Sequence, residues 1–102
     1  MEEIVGYLFY RFIADEVHIF RMAVSPEWRR QGIGSRLVAE CLEKAFGRGV
    51  ASALLEVRPS NSQAVELYRK FGFYMIATRP GYYSDSGEDA HILKLDMKEE
   101  HL

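Results

Sequence analysis

Val17-His18-Ile19-Phe20-Arg21-Met22-Ala23-Val24-Ser25-Pro26-Glu27-Trp28-Arg29-Arg30-Gln31-Gly32-Ile33-Gly34-Ser35-Arg36-Leu37 is the stretch on which the fold turns. Residues 17–24 are rich in apolar, β-branched and aromatic types and predict a strand, with His18, Phe20 and Met22 on one face and Val17, Ile19, Arg21 and Ala23 on the other. Ser25-Pro26 closes it, because proline has no N–H for a ladder and pushes the preceding residue out of the helical region. The apolar residues Ile33, Leu37, Val38, Cys41, Leu42, Ala45 and Phe46 then fall on one stripe and predict a helix over 33–46. Flexible backbone and Arg29, Arg30 and Arg36 therefore meet at a helix start, where unpaired N–H groups can hold an anion. An ordinary strand-to-helix turn uses the same residue types, and the glycines alone do not separate the two readings.

Upstream, residues 4–13 predict another strand, and the polar break Ala14-Asp15-Glu16 is short enough to make the two strands antiparallel neighbours. Downstream, Gly47 and Gly49 end the helix, and residues 53–57, apolar except for Glu56, predict a third strand. Strand, helix and strand at this spacing form a crossover that sets 17–24 and 53–57 parallel. Ser60-Asn61-Ser62 caps a second helix with Ala64, Val65, Tyr68 and Phe71 inward, and Gly72 stops it. Residues 73–78 and 90–97 predict two more strands around the turn-rich Tyr82-Tyr83-Ser84-Asp85-Ser86-Gly87-Glu88-Asp89. No repeat or linker interrupts the chain, so residues 1–102 are expected to form one α+β domain on a mixed α/β sheet.

Composition narrows the function classes. With 48% hydrophobic residues, the 102-residue chain can bury one core. Its 13 Lys+Arg against 15 Asp+Glu leave a net charge of −2, which provides no general positive field for nucleic acid. No apolar run approaches the roughly 18 residues of a membrane span. Met1-Glu2-Glu3 lacks the basic start of a signal peptide, and the lone Cys41 can form neither an intrachain disulfide nor a cysteine zinc site. A cytoplasmic protein without nucleic-acid or membrane partners is expected.

Several side chains can carry chemistry. The glycine loop lacks the Gly-Lys-Ser/Thr of a P-loop, and Leu37 replaces the third glycine of a dinucleotide fingerprint. Glu56 is the one charge in an apolar strand. It can pair with Arg58 or water at a sheet splay, or act as a general base whose pKa partial burial would raise. Tyr68 is an inward aromatic that can serve the core or reach a reacting atom. Tyr82 and Tyr83, adjacent in a turn-rich connection, can be an exposed aromatic hinge or serve a role beyond packing. Cys41 belongs to the helix stripe, and His18 and His91 have no partners at metal-ligand spacing, so no metal is expected.

Met22-Ala23-Val24-Ser25-Pro26-Glu27-Trp28-Arg29-Arg30-Gln31-Gly32-Ile33-Gly34-Ser35-Arg36-Leu37 resembles the acetyl-CoA motif of the GNAT superfamily of N-acetyltransferases. Leu55-Glu56-Val57-Arg58-Pro59-Ser60-Asn61, with Ala64-Val65-Glu66-Leu67-Tyr68-Arg69-Lys70-Phe71-Gly72-Phe73, resembles the second half of that fold. Tyr82-Tyr83 followed by Glu88-Asp89-Ala90 is similar to the RimI/Ard1-type N-terminal protein acetyltransferases. The resemblance runs over nearly the whole chain. It implies a GNAT-like acyl-CoA N-acyltransferase fold and transfer of an acetyl group from acetyl-CoA to the α-amino group of a protein N-terminus, with a ribosomal protein the implied acceptor.

Residue by residue, the resemblance implies that Met22, Ala23 and Val24 offer strand backbone to the pantetheine arm. Arg30, Gln31, Gly32, Ile33, Gly34 and Ser35 would surround the pyrophosphate, and Asn61 would contact the cofactor from the second helix. Glu56 would be the general base, acting through water, and Tyr68 the acid that protonates the departing thiolate. The Val24 N–H would meet the oxyanion, and Tyr82 and Tyr83 would line the peptide entrance.

Family members carry a first strand, two helices and another strand before the segment that starts here at Ile4. The chain is therefore expected to be N-terminally truncated relative to the family, with residues 4–13 an exposed edge through which two copies can pair as a homodimer. The alternatives are a small-molecule amine acetyltransferase sharing the cofactor half and a non-catalytic acetyl-CoA-binding or regulatory module.

Overall fold

β1 (Gly6–Ile13) and β2 (Glu16–Val24) form an antiparallel hairpin in which Ile13 pairs with Glu16, so the turn is Ala14-Asp15 alone. Glu16, expected in the break, already belongs to the strand. Ala14 takes φ 55°, the left-handed conformation that a two-residue hairpin turn demands and that costs an L-residue about 1 kcal/mol. The computed structural model describes residues 4–97. Met1-Glu2-Glu3, the acidic start noted above, lies outside them.

Along β2 the pairing Phe9–Arg21 gives way to Tyr10–Ile19, which leaves Phe20 as an extra residue. A one-residue bulge inverts the alternation beyond it. Val17 and Ile19 are buried, Phe20 is 56% exposed, and Met22 packs against the core. The expected grouping of Met22 with His18 and Phe20 is thus corrected: Met22 shares the face of Val17 and Ile19.

α1 (Ile33–Gly47) leads to β3 (Ser52–Val57), parallel to β2 as the crossover requires. α2 (Ser62–Lys70) then passes over to β4 (Tyr74–Arg79), and β5 (Ala90–Asp96) returns between β3 and β4, antiparallel to both. The strand order is β1-β2-β3-β5-β4. The expected α+β architecture on a mixed sheet is the one found among the described residues.

One cluster joins Val38, Cys41 and Ala45 of α1, Tyr68 of α2, and the strand residues Val17, Ile19, Ala53, Leu55, Val57 and Leu93. Both helices therefore cover the same face of the sheet. Phe46, expected inside, is 58% exposed, because it sits one position, about 100°, round the helix from the buried Ala45. On the opposite face Tyr7, Phe9, Ile13 and Phe20 are open to solvent, and β1 is an edge strand of the described sheet. No helix among the described residues is long and apolar enough to cross a membrane.

Candidate active site

β2 and β3 pair only from Glu16–Ser52 to Ile19–Leu55, although β2 continues to Val24 and β3 to Val57. The bulge at Phe20 follows the last pair, and beyond it the strands run apart. A depression opens on each side of this gap. The larger, about 580 Å³, is walled by Met22, Ala23, Val24, Arg30, Gly32, Ile33, Gly34, Ser35 and Asn61, with Trp28, Gln63, Leu67 and Lys70 beside them. The smaller, about 270 Å³, is walled by Glu56, Tyr82 and Tyr83 with His18, Phe20, Arg79 and Ile92. Of the residues expected around a cofactor only Gln31 stands apart, its amide donating to the Glu27 carbonyl at 3.4 Å.

The larger groove is lined by unspent backbone donors. Gly32, at φ 77°, caps α1 and no side chain caps the helix. The first bond of the helix runs from the Arg36 N–H to the Gly32 carbonyl at 3.0 Å. The N–H groups of Ile33, Gly34 and Ser35 precede it and have no intrahelical acceptor. With the dipole of a 15-residue helix behind them they form a site for an anionic oxygen cluster such as a diphosphate. A Cβ on Gly34 would stand 3.4 Å from Leu67 Cδ2 and 3.6 Å from Met22 Sδ, so the glycine keeps this wall free of side-chain bulk.

Val24 presents its backbone to the same gap. Its carbonyl accepts from Arg29 Nε at 3.2 Å, while the next N–H, of Ser25, turns back to the Val5 carbonyl at 2.7 Å. The N–H and C=O of one strand residue point to the same side, so the Val24 N–H also faces away from β1. An extended ligand carrying amides and ending in a diphosphate fits this donor set. Asn61 borders the groove and its Oδ1 accepts from the Ala64 N–H at 3.2 Å as the cap of α2, which leaves its NH₂ for a ligand.

The smaller pocket gathers the proposed base with both tyrosines. The Glu56 side chain is 35% exposed and lies 4.0 Å from Arg79 Nη1. Its expected partner Arg58 is engaged elsewhere, with Asp85 at 3.0 Å. Glu56 stands on the uncovered face of β3, so the burial expected of it gives way to contact with solvent. The Tyr82 hydroxyl approaches the Glu56 carboxylate, whose hydrogen bonding and charge raise the phenol above its ordinary pKa. Tyr82 and Tyr83 meet edge to face with centroids 5.0 Å apart. His18 Nε2 lies 3.1 Å from Glu16 Oε1, and no three His, Cys, Asp or Glu side chains gather as a metal site among the described residues.

Tyr68 lines neither depression. It is 5% exposed and packs edge-on against Phe73 at 5.4 Å. Burial, with Cys41 nearby, pushes its phenol up to about 12. Ordinary phenol and thiol values, about 10 and 8.5, lie about 1.5 apart, and burial widens that gap to roughly 3.5. The raised value keeps the group protonated at neutral pH and makes it a weaker acid.

The shift also has a stability consequence. A phenol raised above its unfolded value of about 10 contributes fully below that pH, and the contribution is lost as pH climbs through the folded value. Unfolding free energy is expected to fall by up to about 3 kcal/mol on this account between roughly pH 10 and 12. Urea titrations across that window should show a shallower fall for Tyr68→Phe. Buried Cys41, pushed up to about 11, adds a loss of the same sign that the substitution leaves in place. Identical slopes in the two proteins would place the phenol in solvent.

Sequence reasoning missed Arg79, His18 and Ile92 in the smaller pocket and Trp28, Gln63 and Lys70 in the larger. No local signal marks Arg79, Ile92, Gln63 and Lys70, which the pairing of β5 with its neighbours and the packing of α2 bring to these walls; Trp28 lies in the β2–α1 connection and His18 on β2 itself.

The sequence model of the acetyltransferase (GNAT) family matches residues 1–73. The [ribosomal protein bS18]-alanine N-acetyltransferase of Escherichia coli strain K12 is 37% identical over 97 residues, which cover 93% of this chain and 66% of that protein. Among solved structures, the ribosomal-protein-S18-alanine N-acetyltransferase from Escherichia coli superposes with a TM-score of 0.87 at 35% identity, covering 95% of this chain and 64% of that one. Ard1 from Thermoplasma volcanium superposes with a TM-score of 0.86 at 34% identity, covering 93% and 64%. This chain thus spans 66% of the length of the curated relative it matches.

Proposed function

The chain belongs to the acetyltransferase (GNAT) family, and from that premise we propose that it moves the acetyl group of acetyl-CoA to the α-amino group of a protein N-terminus. The observation that carries the reading is the pair of depressions on either side of one strand gap, a diphosphate-type cradle on one side and a carboxylate with two tyrosines on the other. The relatives' names supply the proposed acceptor class, a ribosomal protein of the bS18 type.

Met22, Ala23 and Val24 would hold the pantetheine arm of acetyl-CoA through their backbone. Arg30, Gly32 and the N–H groups of Ile33, Gly34 and Ser35 would hold the pyrophosphate, with the free amide of Asn61 beside them. When bound, acetyl-CoA supplies an acetyl group activated as a thioester. Glu56, open to solvent, takes a proton from the incoming ammonium through water. The Val24 N–H, turned into the gap, is placed to stabilise negative charge developing on an oxygen there. Tyr68, packed against Phe73 and lining neither depression, is proposed as the proton donor to the departing thiolate on the family resemblance alone. Tyr82 and Tyr83 flank the approach of the peptide.

The test is a panel of N-terminal peptides set against polyamines and aminoglycosides, alongside calorimetry with acetyl-CoA. Turnover confined to the peptides is expected. Turnover confined to small amines would reassign the acceptor, and binding with no turnover at all would leave a cofactor-binding module. β1, an edge strand of the described sheet with one charged residue and no proline in Gly6–Ile13, supports pairing of two copies through it. Sedimentation velocity should then read a dimer, and a monomer at tens of micromolar would remove that pairing.

A further inference from the structure

Arg58 follows the last residue of β3, two positions beyond Glu56, and lines neither depression. Its guanidinium nevertheless reaches the 80–89 loop at several points. Nη2 donates to both carboxylate oxygens of Asp85 at 3.1 and 3.0 Å, Nη1 donates to Ser86 Oγ at 3.1 Å, and Glu88 Oε1 lies 3.9 Å away. The same group sits 4.0 Å from the centroid of the Tyr83 ring. Tyr83 is thus held between a guanidinium and the ring of Tyr82.

Resting on the acceptor-pocket reading above, we propose that Arg58 is a positioning residue: it clasps the 80–89 loop and stacks on Tyr83, and so sets the tyrosine wall of the acceptor pocket relative to Glu56. Tyr82 also meets Glu56 and its ring lies 5.7 Å from the Arg79 guanidinium, but Tyr83 and the rest of the loop have little else to hold them. The loop contains no strand or helix, and Gly81 and Gly87 adopt φ 60° and 73°. Its internal bonds, from the Tyr83 N–H to the Glu88 carbonyl at 3.1 Å and from the Gly87 N–H to the Tyr83 carbonyl at 2.7 Å, shape a turn without attaching it to the sheet.

Attachment comes from Arg58 and from Glu88, which accepts from the Ser60 N–H at 2.8 Å and the Ser60 hydroxyl at 2.9 Å. Of these two only Arg58 also packs its side chain against the ring of a pocket tyrosine. A single exposed ion pair contributes little, but a planar guanidinium that holds a carboxylate with Nη2, a hydroxyl with Nη1 and an aromatic ring with its face acts as a network. The Asp85 carboxyl responds accordingly, held below the usual carboxylate range chiefly by its hydrogen bonding to Arg58. Lysine offers one point charge in place of the fork and would restore the clasp only in part.

Arg58→Met and Asp85→Asn break the clasp from its two ends. Each should raise the acceptor-peptide KM roughly tenfold, with kcat and acetyl-CoA affinity held within about twofold, and the double variant should be no worse than either single one. Arg58→Lys should fall between Arg58→Met and the unsubstituted chain. Amide hydrogen exchange at Tyr83 and Gly87 should quicken about tenfold in the broken variants while α1 keeps its protection. Unchanged exchange at those two amides, or a fall in kcat at constant KM, would overturn the clasp. Quickened exchange in a protein that turns over no peptide would sustain the clasp and sink the acceptor reading instead.

Discussion

Glu56→Gln is expected to lower kcat/KM for an N-terminal peptide by roughly a hundred- to a thousandfold, the range a positioned general base supplies. The substitution preserves the shape of the side chain, so the pocket should keep its form. What is lost is the ability to take a proton. Glu56 belongs to the smaller pocket and not to the groove at the start of α1, so acetyl-CoA affinity should stay within about twofold. Solvent reaches the carboxylate, which suits a proton relay through water. The acidic limb of the rate–pH profile should flatten in the variant. Steady-state kinetics showing the same limb and near-normal turnover would mean that another group takes the proton.

Gly34→Val should weaken coenzyme A binding about a hundredfold, the second of the large effects. Even a Cβ at this position meets Leu67 and Met22 at ordinary contact distance, so the two methyls of valine must displace those side chains or enter the groove. Either outcome obstructs the approach of a ligand to the Gly34 and Ser35 N–H groups. Gly32→Val should act by a different cause. Nothing lies within 4 Å of a Cβ there, but φ is 77°, and holding a β-branched residue in that conformation costs about 1–2 kcal/mol. The helix start would relax and its donors would diverge. Calorimetry with coenzyme A on both variants, with circular dichroism to show that each is folded, reads the effect. Near-native affinity in both would remove the diphosphate cradle.

How legible the site was depends on the kind of signal each part carries. The crossover from β2 through α1 to β3 was readable because each element follows its own period and Gly32, Gly34 and Pro26 punctuate them. The cofactor residues were readable for the same reason, since a helix start and the strand before it are contiguous in the chain. Tyr68 was correctly placed inward by helical spacing. Whether an inward tyrosine ends at a groove wall or among Phe73 and Cys41 depends on how α2 settles on the sheet.

The sequence by itself determined what local chemistry decides: which segments are strands or helices, a short break within Ala14-Asp15-Glu16, and the unpaired amides at the head of α1. Three features were decided only by tertiary structure. The bulge at Phe20 reverses the faces of β2, because one extra residue against β1 cannot be seen in the composition of either strand. The return of β5 between β3 and β4 carries Arg79, Tyr82 and Tyr83 to Glu56 across more than twenty intervening residues. The grip of Arg58 on Asp85 and Tyr83 follows from that return. The physical reason is the same in each case: periodicity and capping act within a few residues of chain, whereas register, strand order and long-range ion pairs are settled by which surfaces the whole sheet can bury together.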